Sequence, residues 1–224
     1  LYRPWSETAD SDGTSVQDKS ELISQFLQRK PHVWAALLRS EYHTWHSQTK
    51  KFHKELSESV ATIEAWLAVK TPRQSHVVDL CCGKSLISVL LSLDSHSQAI
   101  TAIDWRDCCE LPHHEEALVR HREHEEAAYA DVPVTYLQHD VLADDFLDVL
   151  AQRIETVGRP TAILGMHLCG RLSLQAIDAF RQIDLVQSLV LTPCCLPHSS
   201  EAPEELREIY GIGLSDPEQF DRWA

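Results

Sequence analysis

Residues 76–92 read HVVDLCCGKSLISVLLS. An apolar run ends in an acid, Asp79, passes through small residues and Gly83, and enters a second apolar run at helical spacing. That is a strand, a tight turn and a helix, the unit from which parallel α/β sheets are built. The remaining question is what the turn holds.

A phosphate loop reads G-x-x-x-x-G-K-[ST], which puts its first glycine at position 78, where this chain has Val78. The turn from Asp79 to Gly83 is also too short to wrap a phosphate in backbone amides. A dinucleotide fingerprint needs G-x-G-x-x-G, and only Gly83 is present, between Cys81 and Ser85. The pattern left is an acidic strand end followed by small residues, which suits S-adenosylmethionine. The cofactor's ammonium is drawn to an acid, and it has no phosphate to cradle. Cys81 and Gly83 let the backbone pass close to it. Asp104 ends the next apolar run about 20 residues after Gly83, the spacing at which a carboxylate meets ribose hydroxyls. Trp105 offers a ring for the adenine face. Asp140 is read as a third strand end, accepting from the adenine amino group, with Val141 beside it as a further contact. Three acids at three successive strand ends are more specific than any one, since a lone carboxylate there is as readily a cap.

Working outward, short apolar runs follow: AITAID (99–104), VTYLQHDV (134–141), TAILGMHL (161–168) and LVQSLVLTP (185–193). Helical segments such as SLISVLLSL, PHHEEALVRHREHEEAAYA and LSLQAIDAFRQI lie between them. The expectation for 73–224 is a doubly wound, mostly parallel sheet of Rossmann-like α/β type, with ligands at the strand C-termini. Residues 1–18 are polar and aperiodic, which predicts a flexible lead-in. Residues 19–72 read as an N-terminal helical cap. Leu22, Ile23, Phe26 and Leu27 fall at helical spacing, as do Val33, Trp34, Leu37 and Leu38. In the next helix Phe52, Leu56, Val60, Ile63 and Leu67 form one stripe, ended by Thr71-Pro72. The chain opens at Leu1 and its helical end stops abruptly, so a domain trimmed at its C-terminus is expected.

At 224 residues, with 34 acidic against 20 basic side chains and a formal charge of −14, the composition opposes bulk electrostatic binding of nucleic acid. No run approaches the roughly 18 apolar residues that cross a bilayer, and the first residues lack a signal-peptide pattern. Seven cysteines, six of them in the adjacent pairs Cys81-Cys82, Cys108-Cys109 and Cys194-Cys195, suit a disulfide framework poorly. A reducing compartment is expected, cytoplasmic with the nucleus as the alternative. No C-x-x-C spacing occurs, and no metal is expected. Cys194 or Cys195 as a covalent nucleophile is weighed against the commoner reading of small buried side chains. His114, His121 and Glu125 can share a helix face, which is more often a solvated one.

These motifs resemble the class I S-adenosylmethionine-dependent methyltransferases. More narrowly, three features resemble a eukaryotic methyltransferase-domain group related to CHHC-finger tRNA 2′-O-methyltransferases and methyltransferase-like proteins. They are the helix Lys50-Lys51-Phe52-His53-Lys54-Glu55, the turn Asp79 to Ser85, and His167-Leu168-Cys169-Gly170 paired with Thr192-Pro193-Cys194-Cys195. The tRNA enzymes continue Cys-Cys with His-His, whereas this chain has Leu196-Pro197, so their substrate is not carried over. The resemblance implies methyl transfer and suggests an RNA hydroxyl as acceptor, while the acidic charge favours a protein or small molecule; no membrane partner is expected, and the oligomeric state is left open. His167, at the end of the fourth strand, is the candidate proton acceptor. The contrasting expectation is a degenerate fold that serves as an interaction module.

Overall fold

The computed structural model describes residues 14–30, 33, 51–69, 75–84, 86–93, 97–107 and 132–193. Among these, the elements in chain order are α1 (Thr14–Arg29), α2 (Lys51–Ala68), β1 (Ser75–Leu80), α3 (Leu86–Ser92) and β2 (Ser97–Asp104). They continue with β3 (Val134–Gln138), α4 (Phe146–Val157), β4 (Thr161–Met166), α5 (Arg171–Gln182) and β5 (Val186–Thr192).

All strand pairings are parallel, in the order β3-β2-β1-β4-β5. The chain builds outward from β1 through β2 to β3, then returns to place β4 on the other side of β1. The order reverses between β1 and β4, and their C-terminal ends open the crevice where such sheets bind ligands. This is the doubly wound α/β sheet expected from the sequence.

The central strands β1, β2 and β4 read as near-continuous apolar runs because both their faces are covered, whereas edge strand β3 exposes Thr135 and Gln138. Alternate residues go to opposite layers. Val77, Ala162 and Leu164 join Ile23, Phe26, Leu56, Val60, Ile63, Trp66 and the α3 side chains. Val78 and Ile163 join Phe146, Leu150, Ile154, Ala176 and Ala179 from α4 and α5. One polar ladder runs through the sheet: buried His76 lies 3.1 Å from Thr161 Oγ1 and 2.7 Å from Thr101 Oγ1, and Arg153 donates to Thr101.

Several boundaries differ from expectation. Helix α1 begins at Thr14, inside the stretch read as a lead-in. Once Ile23 and Phe26 are buried, each further helical residue adds a hydrogen bond at little cost, so the helix extends past its apolar stripe. On α2, Leu56, Val60 and Ile63 are buried as expected, and Trp66 joins them. The expected Trp34, Leu37 and Leu38 stripe, the side chain of Phe52, Cys194, Cys195 and the histidine-rich 113–125 segment lie outside the described residues. Strand β3 stops at Gln138, not 141, because Asp140 starts a turn. Its Oδ1 accepts from Leu142 N at 2.9 Å and its carbonyl from Ala143 N at 3.0 Å. Strand β4 stops at Met166 because His167 turns left-handed (φ 63°). Helix α4 was not singled out in the sequence, although Phe146, Leu150 and Ile154 repeat every four residues and Gly158 closes it at φ 66°.

Candidate active site

Strand β1 delivers Asp79 and then turns sharply. Cys81 (φ 55°) and Gly83 (φ 54°) both hold left-handed backbone angles, free for glycine and strained for cysteine. The turn is stitched to β2: Cys82 N donates to Ile103 O at 2.9 Å, and Gly83 N to Asp104 Oδ2 at 2.9 Å. Strand β4 ends in the same way at His167, whose backbone N donates to Thr192 O at 2.8 Å. The two non-glycine residues with positive φ among those described therefore stand at the ends of the two adjacent central strands.

Between those ends lies a cavity of about 300 Å³. Its lining includes Asp79, Cys81 and Gly83 from the turn, Arg106 after β2, His167 after β4 and Glu55 on α2. The volume is at the lower end for small-molecule sites, enough for part of a cofactor-sized ligand.

The acids are tuned differently. Asp79 Oδ2 accepts from Ser88 Oγ at 2.7 Å and Ser88 N at 3.2 Å. Burial nevertheless pushes Asp79 up to about 6, against the pull of Ser88 and with the help of Asp104. Burial works on Asp104 in the same direction, but there it loses. Arg106 Nε and N both donate to Asp104 Oδ1, at 3.0 and 3.2 Å. With Gly83 N they hold Asp104 below the ordinary carboxylate range. Burial, then the charges of Asp104, Asp79 and Asp140 in that order, push the half-buried Cys81 thiol up to about 12.

The residues picked from the sequence do not all meet. Asp79, Cys81, Gly83 and His167 line the cavity. Asp104 sits directly behind Gly83 and Arg106. Asp140 is exposed and reaches the site through its field. Trp105, 68% exposed, lies outside the cavity, and its carbonyl accepts from Gln138. Val141 is buried in the layer under α4 and α5, so its side chain faces apolar neighbours. Sequence reasoning missed Arg106, Lys84 and Met166 as lining residues, and Glu58. Arg106 had a signal, since a cation two residues past a strand-end acid can fold back on it.

The donor set suits S-adenosylmethionine. Asp79 and Glu55 complement an ammonium, and Lys84 and Arg106 a carboxylate. Among the described residues, no cluster of three His, Cys, Asp or Glu side chains forms a metal set, and no helix is long and apolar enough to cross a membrane.

A family described as a methyltransferase domain matches residues 50–201, more than half of the chain. The chain belongs to this methyltransferase family. The matched segment starts just before α2 and runs past β5. The match does not resolve the narrower group suggested by the H-x-C-G and Cys-Cys motifs. No match was found among curated proteins, and none among solved structures.

Proposed function

We propose that the chain is an S-adenosylmethionine-dependent methyltransferase acting on an acceptor that gives up a proton. The observation that carries this reading is the cavity between the ends of β1 and β4, lined by Glu55, Asp79, Cys81, Lys84, Arg106 and His167, at the point where the strand order reverses. Bound there, the cofactor supplies an electrophilic methyl group on positively charged sulfur. Asp79 and Glu55 hold its ammonium, and Lys84 and Arg106 its carboxylate. Asp104 takes the ribose hydroxyls by giving up part of its contact with Arg106. Trp105 and Asp140 lie on the adenine side, with Val141 contributing backbone. His167 accepts the acceptor's proton. The acceptor is RNA, protein or small molecule, and the charge of −14 favours the latter two.

Calorimetric titration tests the first half. The wild-type chain should bind S-adenosylmethionine, and Asp104→Ala should weaken binding by about tenfold or more. Absence of wild-type binding removes the reading. Methyl-label transfer into cell extract depleted of the endogenous enzyme then identifies the acceptor class. His167→Asn, which tolerates the left-handed backbone, should keep cofactor affinity and lower label transfer roughly 100-fold.

A further inference from the structure

Glu58, on α2, faces the cavity's histidine from a different element. Its Oε2 lies 3.2 Å from His167 Nε2. That oxygen is buried and accepts no well-aligned hydrogen bond, so the imidazole is the group that compensates it. The other oxygen, Oε1, lies 3.9 Å from Lys54 Nζ. The approach is fixed from both sides. Thr62, one turn further along α2, accepts or donates at 3.3 Å with Thr192 Oγ1, and Thr192 O accepts from His167 N. Ser59 Oγ reaches Met166 Sδ, the residue before His167, at 3.7 Å. Helix and strand ends are thus registered immediately around the pair.

We infer that Glu58 is a positioning residue for His167: it holds Nε2 as the protonated nitrogen and leaves the Nδ1 lone pair for the acceptor's proton. The inference rests on the methyl-transfer reading above. Among the described residues Nε2 is paired with Glu58 and Nδ1 has no hydrogen-bond partner, so Nδ1 is the nitrogen left to act. A partly exposed ion pair of this kind adds little stability, typically about 1 kcal/mol or less. Stability alone therefore gives no reason to spend a left-handed histidine at a strand end. As the acceptor's lone pair attacks the methyl carbon, the carbon–sulfur bond breaks and its electrons stay on sulfur, giving a neutral thioether. The acceptor's proton passes to Nδ1, and the imidazolium so formed is stabilised by the Glu58 carboxylate until it releases a proton to solvent.

The charged and titratable groups facing His167 act together. Glu58 raises it most through their contact and burial opposes this. The Glu58 charge and Cys169 add to the rise, while Lys54 lowers it. Glu55, Asp79, Lys84 and Arg106 share the cavity. The net result is a histidine that titrates above its ordinary value.

The test uses the full chain and two readouts. In NMR titration, with the His167 signal assigned by its loss in His167→Asn, Glu58→Gln should lower the midpoint. In label transfer to depleted extract, Glu58→Gln should cut the rate roughly ten- to hundredfold and move the acid limb of the pH profile to lower pH. Glu58→Asp should restore part of the rate, and S-adenosylmethionine affinity should stay within about twofold. An unmoved His167 midpoint, or a slower rate with an unmoved pH profile, overturns the inference and leaves the methyl-transfer reading standing. Loss of wild-type cofactor binding instead sinks both.

Discussion

Cys81 and His167 end neighbouring strands, β1 and β4, and both hold left-handed backbone angles, φ 55° and 63°. Such angles cost roughly 1–3 kcal/mol in a non-glycine residue and concentrate where a site needs them. Cys81→Val should destabilise the protein by about 1–2 kcal/mol more than Cys81→Ala, because a β-branched side chain tolerates positive φ worst. Urea unfolding of the pair measures this; equal midpoints would show that the turn relaxes.

The same cysteine should be a poor nucleophile. With its thiol pushed up to about 12, alkylation at pH 8 should run on the order of 100- to 1,000-fold slower than in the unfolded chain. Asp104→Asn and Asp140→Asn should each accelerate it. Mass spectrometry resolved to Cys81 follows the rate, and labelling as fast as the unfolded control would contradict the raised thiol.

Two buried groups have opposite pH linkage. His76 titrates at about 4 instead of 6.5 because burial, helped by Arg153, disfavours its cation. Its unfolded form takes up a proton first, so stability is full above pH 6.5 and is lost as pH falls toward 4. Asp79 is raised from 3.8 to about 6, so its contribution is full below 3.8 and is lost as pH rises toward 6. Each amounts to about 3 kcal/mol, and in the wild type they nearly cancel between pH 4 and 6. Asp79→Asn should unmask the histidine, with urea midpoints falling steeply as pH drops from 6.5 to 4. His76→Gln should show the reverse slope.

Gly165 lies inside β4, two residues before His167. A Cβ there would fall on the Leu168 side chain and 2.9 Å from Leu191 Cδ2. Leu168 folds back into that space and is buried, which completes the turn that carries His167. Gly165→Ala should cost about 1–3 kcal/mol and also lower label transfer, while Gly158→Ala, remote from the site, should affect stability alone.

The sheet was legible because its strands are short apolar runs, the central β1, β2 and β4 almost wholly buried, and Asp79 and Asp104 because a carboxylate at a strand end breaks that run. Asp140 was visible as an acid, but its place in a turn depends on which backbone amides it captures. The end of β4 is set by the φ of His167, which the letters HLCG do not state. Arg106 saturates Asp104 only once both have folded back over the β1 turn. Glu58 was least legible: nothing in KKFHKELSE names its partner, since their approach exists only after α2 docks across the ends of β4 and β5. Helix α4 was a missed periodicity, present in the letters all along.

Helix α2 buries Leu56, Val60, Ile63 and Trp66 in the layer shared with β1 and β4, and it carries Glu55 and Glu58 to the crevice. A protease cut between α2 and β1 would leave the strands able to pair, yet expose a greasy face and strip the imidazole of its counter-ion. Clipping, dilution of the freed helix, or a competing peptide at that groove would then silence the enzyme without touching any residue of the sheet.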